Sequence, residues 1–418
     1  MSIGEEMIKI GEHAQKAAFI LKNLPSTIKN NALLQMANEL EKQAGQIIEA
    51  NEKDLDNAKN NNLDQAKVDR LILNPDKIHK ISDGLREIAA LPDPINEIIS
   101  MQRRPNGMDI GLIRVPLGVI GIIYESRPNV TADATGLCLK AGNSIILRGG
   151  SEAIHSNIAI ADILHQTAVK EGLPENCIQI IRDTNREYVG EMLKLKDYID
   201  VIIPRGGEEL IKRVVQNSTV PTIETGIGIV SLFVNHDADL EMAEKIIINS
   251  KCSYPAVCNA LDKLLIHEQI KDSFIPSIVN SLRNNGVEVR GCNITQDLVP
   301  DVISATDEDW GAEYLSLKIC VRVVKDIDEA IQIITKYDSK HTESILTMNY
   351  DDSRRFLYEV DAAAVYVNAA TRLTDGGVFG LGAEIGISTQ KLHARGPMGV
   401  NQLTSTKYII YGSGQIRE

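Results

Sequence analysis

The feature that most limits the fold of this chain is an alternation of short apolar runs with segments of helical pattern. The apolar runs are rich in β-branched residues and end at turn residues, as buried strands do. They occupy residues 119–124, 144–147, 178–181, 201–203, 229–234, 264–267, 319–324, 344–348 and 364–368. Helices that connect parallel strands cover the faces of a sheet. The alternation therefore predicts an α/β protein with mainly parallel sheets.

The runs form two sets, which predicts two α/β lobes in a chain of 418 residues. The residues before the first run have a helical spacing of apolar side chains instead, with a break and a helix cap at 25–27. Residues 51–64 are rich in Asn, Lys and Asp and are predicted to form a solvated surface. The second set contains Cys258 near its beginning, so we expect this thiol near the cleft between the lobes, where ligand sites gather.

Residues 98–115 contain two alternating runs separated by an Asn-Gly pair at 106–107. This arrangement predicts a β-hairpin. Because an isolated hairpin is only marginally stable, we expect it to pack on another chain or on a distant strand such as 406–411.

Charge and cysteine content exclude several classes of partner. The net charge is −13 and no basic run is present, so neither nucleic acid nor an anionic membrane is an expected partner. The six cysteines show no C-x-x-C spacing and no cluster with histidine, so we predict no disulfide and no metal site. Without a leader-like start or an apolar run of about 20 residues, the chain is predicted to be cytoplasmic.

Cys258 is the first candidate for chemistry. It lies in the motif VCNA at 257–260, directly before a predicted core strand. Positive surroundings lower the pKa of a thiol from about 8.5, and the thiolate can attack an acyl carbonyl to form a thioester. A cysteine that only fills the core is the commoner use of this residue type, so both interpretations stay open at this point.

Two turns combine an arginine with paired glycines, at 147–152 and 204–209. Each ends a strand and begins a helix, so backbone N–H groups there could bind a phosphate, although neither G-x-G-x-x-G nor a P-loop is present. The alternative is an ordinary strand-to-helix turn.

Polar residues in other loops are further candidates. Asn129 could cap a helix or stabilise an oxyanion through its amide. Glu224 could be a general base or a surface carboxylate before a turn. In the glycine-rich loop 368–398, Arg372 and Asp375 have the charges to hold the carboxylate and ammonium of an amino acid, and the alternative is a structural loop crossing between lobes.

Four motifs resemble those of the gamma-glutamyl phosphate reductase family, within the aldehyde dehydrogenase superfamily. They are YESRPNVT at 124–131, LRGG at 147–150, VCNA at 257–260 and QKLHARGPM at 390–398. The resemblance extends over essentially the whole chain and implies an aldehyde dehydrogenase-like α/β fold. The implied parts are an NADPH-binding lobe of Rossmann type at 1–97, 116–236 and 374–401, a catalytic lobe at 237–373, and an oligomerisation arm at 98–115 and 402–418.

The resemblance also implies roles for individual residues. Cys258 is then the nucleophile and Asn129 the oxyanion donor. The residues implied to bind NADPH are Ser126, Arg148, Gly206, Gly207 and Glu313. Arg148 stands where the superfamily often has a cofactor-binding lysine, and Glu313 is expected to hydrogen-bond a cofactor ribose.

The implied reaction is the NADPH-dependent reduction of L-glutamyl 5-phosphate to L-glutamate 5-semialdehyde and phosphate, through a thioester on Cys258. This is the second step of proline synthesis from glutamate. A dimer or tetramer is expected, and an association with the glutamate 5-kinase that makes the unstable acyl phosphate is a hypothesis.

Two other functions compete with this one. In oxidising aldehyde dehydrogenases the corresponding motif resembles ELGGK, whereas this chain has ETGIG at 224–228. The glutamate of that motif activates water to hydrolyse the thioester, and a reductase does not need this water. A non-catalytic protein of the same fold would be expected to lack Cys258. Asp262 stands where the family has a glutamate, and Cys252 is either structural or a redox partner.

Overall fold

The computed structural model describes residues 2–337 and 339–417. The chain forms two compact units. The first contains the residues up to Thr225, Gly380–Gly386 and the segment from Met398 onward, and the second contains Gly226–Phe379 and Ile387–Pro397. The chain thus enters the second unit before the predicted boundary at 236. The arm belongs to the first unit, and the loop predicted for the cofactor lobe at 374–401 is divided between the units.

Helices and strands of the first unit follow the predicted order. The helices are α1 (Ile3–Leu21), α2 (Ser26–Lys42), α3 (Ala44–Asn60), α4 (Gln65–Leu71), α5 (Pro75–Ala90), α6 (Asn129–Lys140), α7 (Ile154–Lys170), α8 (Glu187–Met192) and α9 (Glu208–Asn217). The strands are β1 (Ile98–Arg103), β2 (Asp109–Pro116), β3 (Val119–Tyr124), β4 (Ser144–Gly149), β5 (Ile178–Ile180), β6 (Val201–Arg205) and, after the second unit, β16 (Thr404–Tyr411).

The second unit repeats the alternation. Its strands are β7 (Val230–Val234), β8 (Leu261–His267), β9 (Glu288–Gly291), β10 (Ile303–Ser304), β11 (Lys318–Val324), β12 (Thr342–Leu346), β13 (Ala364–Val367), β14 (Ile387–Ser388) and β15 (Gly396–Pro397). Its helices are α10 (Leu240–Cys252), α11 (Lys271–Asn284), α12 (Asn293–Leu298), α13 (Ile327–Tyr337) and α14 (Tyr350–Glu359). The predicted strand runs are confirmed, with shifts of a few residues at their ends.

Each unit contains a parallel sheet. In the first unit the strand order is β5-β4-β3-β6, and every residue of β3 is buried because helices cover both faces. In the second unit the order is β10-β9-β11-β8-β7-β12-β13, again with parallel neighbours. The prediction of an α/β fold with mainly parallel sheets is confirmed.

The predicted hairpin is confirmed. Strands β1 and β2 pair antiparallel, with Arg103 opposite Asp109 across the turn, and Gly107 has a φ of +88° that suits glycine. Strand β16 pairs antiparallel along β2, from Thr404 opposite Pro116 to Tyr411 opposite Asp109. The C-terminal run therefore supplies the distant strand that the hairpin required.

Two details of the N-terminal helices differ from expectation. Ser26 does not cap α2, because Pro25 occupies the cap position and the Ser26 hydroxyl donates to Asp93 at 2.8 Å. The solvated surface predicted for 51–64 is wrong at Asn51 and Asp54, which are each 1% exposed. Asp54 accepts hydrogen bonds from the backbone N–H groups of His155 and Ser156, where α7 begins, so its burial is compensated.

In the part of the chain that the structure describes, no helix is long and apolar enough to cross a bilayer.

Candidate active site

Cys258 lies in the loop that joins α10 to β8 in the second unit, and its side chain is half-buried. The loop closes in a tight turn in which the N–H of Ala260 donates to the carbonyl of Val257 at 3.1 Å. Buried strand β8 follows immediately and fixes the end of the turn. The thiol is therefore held by a short loop between two packed elements, as a nucleophile must be.

Gly228 packs directly on the backbone of Cys258. A Cβ placed on Gly228 would lie 1.5 Å from the carbonyl oxygen of Cys258, so no other residue fits without displacing the loop. The N–H of Gly228 donates to Glu313 Oε1 at 2.9 Å. The structure thus brings Glu313, predicted as a cofactor residue, to the segment that supports the nucleophile.

Arg372 is also brought close to the nucleophile loop. Its Nη1 donates to Oδ1 of Asn259, the residue after Cys258, while Asn259 Nδ2 donates to the carbonyl of Thr374 at 2.8 Å. Asp375 lies on the exposed side, where its Oδ1 accepts from the N–H groups of Gly377 and Val378 at 2.9 and 3.2 Å. The structure therefore gives Asp375 a turn-forming role, and its contact with substrate stays a prediction.

A buried ion pair links the two elements on either side of the nucleophile loop. Lys251, at the end of α10, lies 3.4 Å from Asp262 in β8, and the two side chains are 0% and 2% exposed. Burial raises the pKa of Asp262 to about 6, although the charge of Lys251 opposes this shift. Burial also raises the pKa of the neighbouring Cys252 thiol, which is consistent with its structural interpretation. The sequence showed that Asp262 stands where the family has a glutamate, but it did not show that Lys251 is the ion-pair partner of Asp262.

In the first unit, candidate cofactor residues meet where three parallel strands end. Tyr124, at the end of β3, lies opposite Gly149 of β4 on one side and Arg205 of β6 on the other. The chain order reverses beside β3, and such a switch point is where open α/β sheets bind ligands.

The glycine turn at 204–209 and Ser126 have carboxylate partners at this edge. The N–H of Gly207 donates to Glu125 Oε2 at 3.0 Å. Ser126 has a φ of +44°, and its N–H and hydroxyl both donate to Glu152 Oε1, at 2.6 and 2.8 Å. A non-glycine residue held in this conformation indicates a constrained, preorganised turn. The helix-starting turn after β6 was predicted correctly, and its carboxylate partner was not.

Arg148 is buried rather than extended into solvent. Its Nη1 donates to the carbonyl of Gly149 and its Nη2 to the carbonyl of Thr184 at 3.0 Å, and its Nε lacks a hydrogen-bond partner. Burial lowers the pKa of the guanidinium. A buried cation with an unsatisfied N–H is suited to an anionic ligand, so Arg148 remains a candidate for cofactor binding.

Asn129 does not cap helix α6, because Pro128 occupies the cap position. Its Nδ2 instead donates to Asp133 Oδ2, one turn along the helix, at 2.9 Å. Burial raises the pKa of Asp133 to about 6, against the opposing effects of this hydrogen bond and of Arg205. The carboxylate fixes the orientation of the Asn129 amide, which leaves the second amide N–H for another acceptor.

A cavity of about 1070 Å³ lies in the first unit and was not predicted. One wall is formed by the turn before α7 and the start of that helix and includes Glu152, His155 and Ile158. Another is formed by 180–184, at the end of β5 and directly after it. Further lining residues come from 57–63, in the stretch predicted to form a solvated surface, and from Glu6, Ile10 and Tyr188. Apolar walls with a few charged groups at the carboxyl ends of strands are typical of a nucleotide site.

A group of three potential metal ligands lies at the surface of the first unit and consists of Glu41, His79 and Asp83. Arg86 donates to Glu41 at 2.7 Å and to Asp83 at 2.9 Å. The hydrogen bond from Arg86 to Glu41 is the main reason why the pKa of Glu41 falls to about 2. Because the guanidinium is already bonded to both carboxylates, the group is an ion-pair network, and we assign no metal to it.

Comparisons with known proteins show the family of this chain. A model of the aldehyde dehydrogenase family matches residues 3–291. The gamma-glutamyl phosphate reductase of Carboxydothermus hydrogenoformans is 55% identical over 413 residues, which cover 99% of this chain and 100% of that protein. The protein of the same name from Moorella thermoacetica is 54% identical over 418 residues, covering 100% of both chains.

A solved structure gives the same result for the fold. The crystal structure of the gamma-glutamyl phosphate reductase from Thermotoga maritima has a TM-score of 0.96 with this chain and 47% sequence identity, and the match covers 99% of this chain and 100% of that one. The resemblance seen in the four motifs is confirmed. The chain therefore belongs to the gamma-glutamyl phosphate reductase family, within the aldehyde dehydrogenase family.

Proposed function

We propose that this protein reduces L-glutamyl 5-phosphate to L-glutamate 5-semialdehyde and phosphate with NADPH, the second step of proline synthesis from glutamate. The observation that carries the proposal is the full-length similarity to proteins named gamma-glutamyl phosphate reductase, at 54–55% identity, in a chain that retains Cys258. On the strength of this biosynthetic role we also propose a cytoplasmic location.

In the proposed reaction the Cys258 thiolate attacks the acyl carbon of the substrate, and the bond to phosphate breaks to leave a thioester. The Asn129 amide stabilises the tetrahedral oxyanion that forms before phosphate leaves. When bound, the reduced nicotinamide supplies the hydride that reduces the thioester. Asn129 stabilises the second oxyanion, and the C–S bond then breaks to release the aldehyde and regenerate Cys258. Arg372 binds the substrate carboxylate and Asp375 its ammonium group.

The cavity in the first unit supports the cofactor part of the proposal. We propose that it holds the adenosine portion of NADPH, with the apolar side chains of Ile158 and Ile180 against the base and the phosphates toward Ser126, Arg148, Gly206 and Gly207. Its volume of about 1070 Å³ is ample for a nucleoside. We further propose that Glu313 binds a ribose of the cofactor.

The arm supports the proposal of a homo-oligomer. Its three-stranded sheet leaves Ile98, Met101, Tyr408, Ile410 and Tyr411 each at least 44% exposed. The strand register places Tyr408 and Ile410 on one face of this sheet and Ile98, Met101 and Tyr411 on the other, and exposed apolar side chains of this kind are a feature of subunit interfaces. Light scattering on a size-exclusion column should give a dimer or tetramer, and Ile410→Glu should shift it toward monomer. A partnership with glutamate 5-kinase is a hypothesis that co-purification would test.

The experiment that tests the function is the reverse reaction. Glutamate 5-semialdehyde, phosphate and NADP+ are mixed, and absorbance of the reduced cofactor is followed for wild type, Cys258→Ala and the matched control Cys252→Ala. We expect phosphate-dependent turnover that only Cys258→Ala abolishes. Turnover that does not need phosphate would instead indicate an oxidising dehydrogenase with Glu224 as its base. Replacing NADP+ by NAD+ in the same assay measures the cofactor preference.

A further inference from the structure

Glu313 has a contact that a cofactor residue does not need. Its Oε1 accepts the N–H of Gly228 at 2.9 Å, although the two residues are 85 positions apart in the chain. Gly228 is buried, and the ideal position of a Cβ on it lies 2.7 Å from the Cα of Cys258. The segment bonded to Glu313 therefore bears directly on the backbone of the nucleophile.

The segment that carries Glu313 is itself held in place. Tyr314 follows Glu313, and its N–H donates to Asp262 Oδ1 at 3.3 Å while its hydroxyl donates to Asp309 Oδ1 at 2.9 Å. Asp309 is buried and also accepts from Arg290 at 2.8 Å. These bonds fix the backbone on both sides of Glu313.

Through Tyr314, this segment is also connected with both ends of the Cys258 loop, directly at β8 and through Asp262 at α10. Asp262 lies in β8, where the loop ends, and its partner Lys251 lies in α10, which precedes the loop. The loop is thus bounded by α10 on one side, β8 on the other and Gly228 against its backbone. Glu313 contacts Gly228, and its neighbour Tyr314 contacts Asp262 in β8.

We propose that Glu313 is a positioning residue for Cys258, which holds the nucleophile loop through Gly228 before any cofactor binds. This role is additional to the ribose contact, and it rests on the proposed function of Cys258 as the nucleophile. Its physical basis is that attack on the acyl carbon requires the sulfur at a defined place, and a displacement of about 1 Å costs on the order of 100-fold in rate. Glycine at 228 allows its backbone to pack closely on the backbone of Cys258, and the hydrogen bond from Gly228 to Glu313 maintains this packing.

The test uses the cofactor-free enzyme, in which a ribose-binding role has no effect. Wild type, Glu313→Ala and Glu313→Gln are treated with iodoacetamide, with Glu308→Ala as a control for an exposed glutamate of the same region. Trypsin cleaves after Lys251 and Lys263, so Cys252 and Cys258 lie on one peptide, and fragmentation of that peptide gives the alkylation rate of each thiol separately. Cys252 serves as the internal control.

We expect Glu313→Ala to raise the alkylation rate of Cys258 by about threefold or more, because a loop that is no longer held opens more often. The rate at Cys252 should not change, and Glu308→Ala should match wild type. Glu313→Gln retains an oxygen acceptor and should stay within about twofold of wild type. Agreement of Glu313→Gln with wild type also excludes general unfolding as the cause.

An unchanged or lowered rate at Cys258 in Glu313→Ala would overturn the proposal, even if that variant bound NADPH more weakly. Equal increases at Cys252 and Cys258 would overturn it as well, since they would indicate general loosening. The proposed function fails separately, if Cys258→Ala keeps phosphate-dependent turnover.

Discussion

Arg372 donates a hydrogen bond to the side-chain oxygen of Asn259, the residue that directly follows Cys258. The residue proposed to bind the substrate carboxylate is therefore bonded to the nucleophile loop. Binding of the carboxylate and placement of the thiol would then depend on the same guanidinium.

Replacement of Arg372 should therefore affect the reaction more than loss of one substrate contact would. We expect Arg372→Ala to lower kcat/KM for the aldehyde by about 100-fold or more, and Arg372→Lys to restore little, because an ammonium cannot reproduce the planar guanidinium. Steady-state kinetics of the reverse reaction measure both. Arg354→Ala, at an exposed position of the same unit, is the control, and a value for Arg372→Ala within twofold of it would contradict the expectation.

Gly228→Ala should displace the nucleophile loop. The added methyl group would lie 1.5 Å from the Cys258 carbonyl, and overpacking of this kind costs about 1–3 kcal/mol of stability. We expect a lower melting temperature and a loss of most activity. Gly45→Ala is the matched control, because a Cβ there meets nothing within 4 Å, and it should melt at or above the wild-type temperature. Full activity in Gly228→Ala would show that the loop can move without cost.

Asp133 should make stability fall as the pH rises. Its pKa is raised to about 6 in the folded chain and is about 3.9 in an unfolded one, so the folded state binds more protons between about pH 4 and pH 6. Asp133→Asn cannot ionise and should be more stable than wild type by about 1–2 kcal/mol at pH 7, with the difference vanishing near pH 4. Urea unfolding at several pH values measures this, and a difference that does not vary with pH would refute it.

The buried pair of Lys251 and Asp262 should be costly to break at one side only. We expect Lys251→Met to lower the free energy of unfolding by about 3–5 kcal/mol, because it leaves an uncompensated buried carboxylate. The double variant Lys251→Met/Asp262→Leu should recover most of this loss. Guanidinium unfolding measures all three proteins. Lys53→Met, which removes one partner of an exposed pair with Glu49, should change little, and an equally small effect at Lys251 would count against the buried pair.

The cavity proposed for the adenosine can be filled from α7. We expect Ile158→Trp to weaken NADPH binding by about tenfold or more, since the larger ring occupies space that the ligand needs. Val169→Trp, on an exposed part of the same helix, should bind as wild type does. Quenching of intrinsic fluorescence on titration with NADPH gives both affinities. Equal affinities would place the adenosine elsewhere.

The sequence by itself determined the α/β class, the positions of the strands, the hairpin, and the location of Cys258 before β8. It left the partner of the hairpin open between another chain and a distant strand such as 406–411. These features depend on contacts between residues close in the chain or on a periodic pattern of apolar side chains, and both are visible without a structure. The motifs added the family. The resemblance implied roles for Glu313 and Asn129, and the charge of Arg372 in its glycine-rich loop made it a candidate for substrate binding.

Only the tertiary structure decided which groups these residues contact. The amide of Asn129 donates to Asp133 instead of capping its helix, and Glu313 accepts a hydrogen bond from Gly228. Asp54 is buried where the composition indicated a solvated surface. Each polar group could be satisfied by several partners, and the choice between distant ones depends on how the backbone folds. Pattern and propensity describe a segment, whereas the partner of a buried polar side chain is set by packing between segments that are far apart in the chain.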